Sequence, residues 1–310
     1  MLIGIRKDGY ECLLKDLFSS NPISNELPRV VIDHVINNVR MWDGKPHVTD
    51  ICIDTREAYL KYRYDYFDDL KSIIRTSFGS LRHASVLNGI LSEVKLDSID
   101  LSGSADNIDI RPNGDIFVCD FKFFSSYSVA KHFGIVNTKV SKTDEFGEKT
   151  YYKNGKEKTE SIKSFTSPSN LYITLQLNIY RKLLSEVIVL PEMKKEIIND
   201  GGMIERNIER GKIFDGMEAF LFVTDGGTYM AKSRGIDEMS YLDKNIQEIQ
   251  YIDSIITKKT QALVEAMKTD AVPPMCKDIY CMDNRYKCQN FCPVRDICEK
   301  IGGSLPDKPF

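Results

Sequence analysis

Residues 103–124 read GSADNIDIRPNGDIFVCDFKFF. Two strand-like runs flank Pro112-Asn113-Gly114, whose residue types are typical of a tight turn. Side chains alternate between the two faces of a strand, so Asp120 and Lys122 share one face with Ile116 and Val118, while phenylalanines and Cys119 occupy the other. A strand that is apolar on both faces is typical of the centre of a sheet. The segment therefore predicts a central β-hairpin that carries acidic side chains.

The expected register of this hairpin brings two carboxylates together. If the turn centres on Asn113, opposed residues have numbers that total 226, which places Asp106 opposite Asp120. Opposed Cβ atoms lie about 4.5–5.5 Å apart, and carboxylates at that distance repel each other unless a cation lies between them. Mg²⁺ and Mn²⁺ suit such oxygen ligands, and Lys122 can orient a water or balance anionic charge. The pattern predicts a metal-ion hydrolase site.

A solvated surface hairpin with incidental acids is the alternative. Composition alone gives about six acid-x-base tripeptides by chance, so Asp120-Phe121-Lys122 is a weak motif by itself. The aromatic face opposite Asp120 favours the buried interpretation, because surface strands rarely carry such a face.

Composition excludes several classes of protein. The chain has 310 residues, of which 42% are hydrophobic, and its 42 Lys and Arg against 45 Asp and Glu give a net charge of −3. A uniformly basic nucleic-acid coat is excluded, although a local basic groove is not. No apolar run approaches the roughly 20 residues of a membrane span, and the first residues are charged too early for a secretory signal. We expect a cytoplasmic protein.

Helical and strand patterns divide the rest of the chain. Helical spacing predicts helices over 27–42, 70–92 and 171–190, the second containing His83. Thr49 or Asp50 is the expected cap of a helix that carries Arg56, Tyr59 and Leu60. Residues 94–124 show strand periodicity instead.

Two further elements are expected towards the C-terminus. EAFLFVT (218–224) and TYMAK (228–232) flank Asp225-Gly226-Gly227, which predicts a second hairpin. A long helix follows, with Leu242, Ile246, Ile249, Ile252 and Ile256 on one face. We therefore expect three regions: an N-terminal helical region (1–46), a core (47–272) with a Lys-rich insertion (125–168), and a cysteine module (273–310) that packs back on the core.

Four motifs in order resemble the PD-(D/E)XK nuclease superfamily, specifically its RecB-like branch. They are Gly79-Ser-Leu-Arg-His83, Gly103-Ser-Ala-Asp106, Asp120-Phe-Lys122 and Gln176-Leu-Asn-Ile-Tyr180. The resemblance covers roughly residues 48–298. It implies a restriction-endonuclease-like α/β fold, with a mixed central sheet flanked by helices, and metal-dependent hydrolysis of DNA.

The resemblance also implies residue roles. The metal ligands would be His83, Asp106, Asp120 and the backbone carbonyl of Phe121. Lys122 would activate or hold the attacking water, while Gln176 and Tyr180, one helical turn apart, would reach a bound strand. The alternatives are a helix histidine satisfied by its surroundings and a pair on a helix surface.

A segment near the expected site entrance resembles the family only in part. Arg56 and Tyr59, in DTREAYL, match the family's Cys-Pro-Arg-x-x-Tyr-Leu segment and are expected to contact DNA. Asp54 stands where many members have cysteine.

The C-terminal cysteines resemble the iron–sulfur staple of RecB-type nucleases such as AddB and the CRISPR-adaptation exonuclease. Cys288, Cys292 and Cys298 match its C-terminal half, although one extra residue separates the first pair. For the fourth ligand we favour Cys281 or Cys276, with Cys52 next. A structural 4Fe-4S cluster is favoured, and Zn²⁺ bound by four thiolates is the alternative. Cys12 and Cys119 have the character of ordinary small hydrophobic residues.

The insertion mixes lysines with aromatic residues, and Asn154-Gly155 within it is a hairpin signal. Lysines that pair with phosphates beside aromatics that stack on bases suit a single strand, so Lys153 and Lys156 are expected DNA contacts. A solvated loop whose acids dilute its charge is the alternative.

The sequence is thus expected to encode a Mg²⁺- or Mn²⁺-dependent exonuclease that prefers single-stranded DNA with free ends. It would act in recombination, replication, or phage or defence processing, with a possible helicase or recombination partner. Two alternatives stay open: an RNA endonuclease on the same site, and a noncatalytic DNA-binding assembly protein.

Overall fold

The computed structural model describes residues 1–86, 92–110, 115–165, 171–186, 216–275 and 292–301, and it is an α/β protein. The strands are β1 (Leu2–Lys7), β2 (Tyr10–Leu13), β3 (Tyr66–Asp69), β4 (Ser92–Asp97), β5 (Ser102–Ile110), β6 (Ile116–Phe124), β7 (Ile135–Ser141), β8 (Thr159–Phe165), β9 (Gly216–Val223) and β10 (Ser240–Asp243). The helices are α1 (Arg29–Asn37), α2 (Val48–Cys52), α3 (Thr55–Arg63), α4 (Leu70–Val86), α5 (Ser126–His132), α6 (Leu171–Glu186), α7 (Tyr229–Ser233), α8 (Ile252–Thr269) and α9 (Arg295–Lys300).

The chain divides into two compact units. The first comprises Met1–Asp120, Tyr172–Glu218 and Asn245–Phe310, and the second comprises Phe121–Leu171 and Ala219–Lys244. The first unit is therefore assembled from three separate segments of the sequence. Among the described helices, none is long and apolar enough to cross a membrane.

A three-stranded sheet in the order β2-β1-β3 opens the first unit. β1 and β2 are antiparallel and joined by Asp8-Gly9, both of which have positive φ (49° and 84°). Asp-Gly with left-handed backbone at both positions is the turn that joins two strands most tightly. The expected N-terminal helical region therefore begins with a β-hairpin, whose Asp-Gly signal was overlooked in the sequence, and only α1 is an α-helix there.

The five-stranded sheet has the strand order β10-β9-β6-β5-β4. β6 is its central strand, as its two apolar faces predict. The pairs of β5 and β6, from Asn107–Cys119 to Ile110–Ile116, have numbers that total 226, so the predicted register is confirmed. The turn residues 111–114 lie outside the described residues.

Within the described residues, the first unit contains two hydrophobic cores. One joins the N-terminal sheet to α1 and α4 through residues such as Ile5, Val31 and Ile73. The other, here the α3 core, packs Tyr59 and Leu60 of α3 against Leu263 of α8 and Cys298 of α9. The C-terminal segment is thereby buried against a helix from the first fifth of the chain.

Side-chain caps fix the start of α2 and α3. Asp54 caps α3 by accepting a hydrogen bond from the backbone amide of Arg56 at 2.8 Å, so the expected cap at Thr49 or Asp50 is wrong for this helix. Asp50 instead accepts from the His47 amide at the start of α2. Two short helices thus replace the single expected one.

The second unit corrects two further predictions. TYMAK is not a strand, because Thr228 caps α7 by accepting a hydrogen bond from the Ala231 amide. β10 is the strand that pairs with β9, and it contains Leu242. The expected long helix therefore begins only at Ile252, as α8.

The insertion extends the β7–β8 hairpin into two tight turns. The first spans residues 143–149 and the second residues 151–157, each closed by an antiparallel bridge. Gly155 has φ 77° in the second turn, and the Gly155 amide donates to the Tyr152 carbonyl at 2.9 Å. The Asn154-Gly155 turn is confirmed.

Candidate active site

The β5–β6 hairpin carries the two acids of the predicted metal site. Asp106 and Asp120 lie one residue beyond the last registered pair, Asn107–Cys119, where the same register would oppose them. Asp120 is 0% exposed, whereas Asp106 is half-buried. A fully buried carboxylate on the central strand of a sheet is costly unless hydrogen bonds or positive charge compensate it.

The helix α6 brings two more predicted residues into the same unit. Gln176 and Tyr180 are 5% and 3% exposed, and the Gln176 amide nitrogen donates to the Tyr180 hydroxyl at 3.1 Å. They are therefore a buried pair, not a pair on the helix surface. Oε1 of Gln176 is buried without a hydrogen-bond partner among the described residues.

The hydroxyl of Tyr180 lies within electrostatic range of both acids. Burial raises the pKa of Tyr180 above its usual value near 10, the bond from Gln176 opposes that shift, and Asp120 and Asp106 add to it. Tyr180 consequently stays protonated at neutral pH and keeps its hydroxyl proton as a donor. The four side chains form one electrostatic group.

Cys52 belongs to this neighbourhood. Its thiol adds to the rise in the pKa of Tyr180, after the larger effects of burial and of the two acids. The Cys292 thiol, in contrast, interacts electrostatically with Lys61, Tyr66 and Arg295. Among the described residues, Cys52 and Cys292 therefore have different electrostatic neighbours.

Three other predicted site residues are located less completely. Lys122 and Phe121 continue β6 into the second unit, where both are half-buried and the Phe121 ring lies 5.8 Å from that of Phe220. His83 lies in α4, as its helical context predicts, but its side chain falls outside the described residues. The ligand set that the resemblance implies stays a prediction.

Arg56 and Tyr59 are interior side chains of α3. The Arg56 guanidinium is 6% exposed and donates to the Pro273 carbonyl at 2.7 Å and to the Cys298 thiol at 3.1 Å. Tyr59 is 0% exposed and donates to Asp270 at 2.8 Å, and burial with this bond raises its pKa to about 12. Such burial favours a structural role over the DNA contact that we predicted for them.

In the cysteine module, the cysteines that the structure describes are Cys292 and Cys298. Cys298 is 9% exposed, lies 3.8 Å from the Met275 sulfur and accepts the hydrogen bond from Arg56. A sulfur that accepts an N–H bond from a cation is well placed to be a thiolate ligand, and bonds of this kind tune iron–sulfur clusters. The predicted ligands Cys276, Cys281 and Cys288 lie outside the described residues.

A second group of possible metal-ligand atoms was not predicted from the sequence. Asp109, Cys119 and Glu218 bring one ligand atom each to within 4.8 Å of one another. By strand alternation Cys119 faces away from Asp120, so this group lies on the other face of the hairpin. The available signal was Glu218 itself, a lone acid inside an apolar strand that we interpreted only as a strand residue.

Comparison with known proteins adds little. No protein-family model matches the chain, and no curated protein matches it. Among solved structures, the crystal structure of SSO0001 is similar over 88% of this chain and 93% of its own, at 14% sequence identity and a TM-score of 0.40. A likeness of that strength supports no assignment.

Proposed function

We propose that this chain is a metal-dependent nuclease with a restriction-endonuclease-like, RecB-type core that hydrolyses DNA phosphodiesters. The observation that carries the proposal is the β5–β6 register, which would oppose Asp106 and the fully buried Asp120 one residue beyond its last pair, Asn107–Cys119. Two carboxylates in that arrangement can share a divalent cation, and their oxygen atoms suit Mg²⁺ or Mn²⁺.

The proposed roles follow from chemistry at each atom. A bound Mg²⁺ or Mn²⁺ would act as a Lewis acid towards the scissile phosphate. Asp106 and Asp120 would hold that ion, with His83 and the Phe121 carbonyl as the further predicted ligands. Lys122, two residues after Asp120, would hold the attacking water and offset the charge that develops on phosphate.

Gln176 supports a role in substrate binding. Its Oε1 atom is a buried acceptor without a partner among the described residues, and such an atom costs about 1–3 kcal/mol. Its amide nitrogen is already used by Tyr180, so the free acceptor can take a hydrogen bond from a sugar, a base or an ordered water. A site that carries this cost beside two acids is typical of a binding pocket rather than of a plain core.

The cysteine module completes the proposal. Cys292 and Cys298 would be ligands of a structural 4Fe-4S cluster, with Zn²⁺ as the alternative, and Arg56 would orient the Cys298 sulfur. From the resemblance we propose an exonuclease that prefers single strands with free ends.

The test is cleavage by the full chain, purified anaerobically. We expect Mn²⁺-dependent loss of linear single-stranded DNA, little loss of circular DNA, and none with chelator. Asp120→Asn and Lys122→Met should each lower the rate about 100-fold or more, because each removes a group that acts on the reacting phosphate. Asp100→Asn, an exposed acid in the loop before β5, is the matched control and should keep the wild-type rate.

The same assay separates the alternatives. Faster cleavage of RNA than of DNA would make the chain an RNA endonuclease. DNA binding without cleavage would support the assembly protein, and unchanged cleavage by Asp120→Asn in a clean preparation would remove the assigned site.

A further inference from the structure

The two turns of the insertion differ sharply in charge. The first turn, residues 143–149, contains Asp144, Glu145 and Glu148 around Phe146, and its one basic residue is Lys149. The second turn, residues 151–157 and here the basic turn, contains Tyr151, Tyr152, Lys153 and Lys156, and its one acid is Glu157. The insertion as a whole has eight lysines and five acids, and it separates part of that charge into one acidic and one basic turn.

The basic turn is held in a fixed shape. The amides of Tyr152 and Gly155 bond across it, to the Lys156 and Tyr152 carbonyls at 2.8 and 2.9 Å. The Lys156 amide donates to the Asn154 side chain at 3.1 Å. Because the backbone is already ordered, a ligand that binds here need not bear the entropy of ordering it.

Its aromatic side chains are available at the surface. Tyr151 and Tyr152 are 54% and 55% exposed, and as consecutive residues beside an antiparallel bridge they point to opposite sides of the ribbon. The Lys158 ammonium lies 5.5 Å from the centre of the Tyr152 ring. A base stacked on that ring would carry its phosphate close to a positive charge.

The nearest acid is already engaged. Glu157, which closes the turn through its bridge to Tyr151, binds Lys149 at 3.0 Å and accepts a hydrogen bond from Ser141. Those bonds lower the pKa of Glu157, so its charge is held by partners outside the basic turn. Lys153 and Lys156 are both exposed to solvent, and the one acid of the basic turn is bound to Lys149 and Ser141.

We propose that the basic turn is a contact for single-stranded nucleic acid, in which Tyr151 and Tyr152 stack on unpaired bases and Lys153, Lys156 and Lys158 bind the adjoining phosphates. Stacking needs bases that are not enclosed in a duplex, which selects a single strand over double-stranded DNA. The acidic turn repels phosphate and takes no part, although Phe146 is 83% exposed. This inference extends the proposed function, but it concerns binding and stands apart from hydrolysis.

The test is binding of a fluorescent thymidine single strand of about 20 nucleotides to the full chain in chelator, where no metal-dependent cleavage occurs. Tyr151→Ala/Tyr152→Ala should weaken binding about 10- to 100-fold. Phe146→Ala, an exposed aromatic in the acidic turn, is the matched control and should bind like the wild type. Lys153→Ala/Lys156→Ala should reduce the slope of log affinity against log salt by about 1.4, since each phosphate contact on a single strand contributes about 0.7.

Each outcome decides the question. Wild-type affinity in the double tyrosine variant, or an equal loss in Phe146→Ala, overturns the assignment. An equal loss of binding to a duplex of the same sequence overturns the single-strand preference. Selective loss on single strands supports it even if the wild-type chain cleaves nothing, so failure of the nuclease proposal and failure of this one give different results.

Discussion

Arg56 shows how one buried cation can link distant parts of a chain. Its partners, Pro273 and Cys298, lie 217 and 242 positions away in sequence. A guanidinium is planar and always charged, so burial is tolerated only where its donors are used. We infer that Arg56 fixes the position of the C-terminal segment on α3.

Replacing Arg56 tests this link. Arg56→Ala should lower the free energy of unfolding by about 2–3 kcal/mol, because it leaves the Pro273 carbonyl without its donor. Arg56→Lys should recover part of that loss. Arg63→Ala, on the same helix but largely exposed and paired with Asp270, is the control and should lose clearly less stability, because a solvent-exposed ion pair contributes little. Urea unfolding measures all three, and equal losses for Arg56→Ala and Arg63→Ala would contradict the link.

The stability of the second unit depends on pH through Asp225. It accepts hydrogen bonds from the Ser126 amide and hydroxyl at 2.5 and 2.7 Å, and Arg234 donates to that hydroxyl at 2.8 Å. Burial alone would raise the pKa of Asp225, but the bonds from Ser126 and the charge of Arg234 lower it below 3.8. A lowered folded-state pKa contributes stability above the unfolded-state pKa and loses it as pH falls through the folded-state value.

Asp225→Asn should therefore cost more stability at pH 7 than at pH 3. The expected difference between wild type and variant is about 1–2 kcal/mol at neutral pH and shrinks below about pH 4 as the carboxylate of the wild type is protonated. Urea midpoints measured across this range provide the check. A difference that does not change with pH would mean that the charge of Asp225 is irrelevant.

At the scale of elements, close packing explains the glycine of the Gly-x-x-Asp motif. A Cβ atom on Gly103 would lie 2.7 Å from Cγ2 of Val48 and 3.2 Å from Cε1 of Tyr180. Val48 is β-branched and 0% exposed, so it has little freedom to move aside. The strand that carries Asp106 can lie this close to α2 and α6 only without a side chain at position 103.

Gly103→Ala should cost about 1–3 kcal/mol of stability and reduce cleavage, because any shift of β5 displaces Asp106. Val48→Ala opens the space that the new methyl group needs. The double variant should therefore lose about 1 kcal/mol less stability than the sum of the two single losses. Thermal unfolding of the four proteins measures the coupling, and strict additivity would show that the contact with Val48 is not the cause.

Local pattern predicted the β5–β6 hairpin well and the elements around it less well. Alternation and the turn at Asn113 were sufficient for its register, because one slipped residue would turn every side chain to the wrong face. The strand predicted for TYMAK is wrong because Thr228 caps a helix there. The cap hydrogen bond outweighs strand propensity in a five-residue segment. Leu242 has helical spacing with later isoleucines, but pairing with β9 places it in a strand.

The candidate site could also be predicted only in part, because local pattern indicates some of its residues but not the long-range contacts of the others. Asp106, Asp120, Gln176 and Tyr180 occur in ordered motifs, so the sequence indicates them. Burial of Arg56 and Tyr59 could not be read from their motif, because it depends on α8 and α9, whose pairing with α3 is a long-range contact. Glu218 was missed because its neighbours come from other strands.

On the scale of the whole molecule, the proposed cluster should stabilise one part of the chain selectively. Cys292 and Cys298 belong to the α3 core, and a ligand that binds only the native state adds its binding free energy to folding. We expect anaerobic removal of iron to increase hydrogen exchange in α3, α8 and α9. The β7–β8 hairpin, in the second unit, should keep its protection.

Cysteine variants provide the control for that experiment. Cys298→Ala should abolish iron binding, whereas Cys12→Ala, a buried thiol in the N-terminal core, should keep the wild-type iron content. Zinc in place of iron would change the metal and leave this pattern intact. Equal loss of protection in both units, or none, would contradict a structural role for the cluster.

Because the first unit is assembled from three segments of the sequence, its parts become available at different times during synthesis on the ribosome. Tyr59 and Leu60 leave the exit tunnel long before Leu263 and Val294, the residues that cover them, have been translated. Until then α3 exposes an apolar surface that nascent-chain chaperones can bind. The second unit, by contrast, is complete once Lys244 has emerged. It can therefore fold before the last helices of the first unit have been translated.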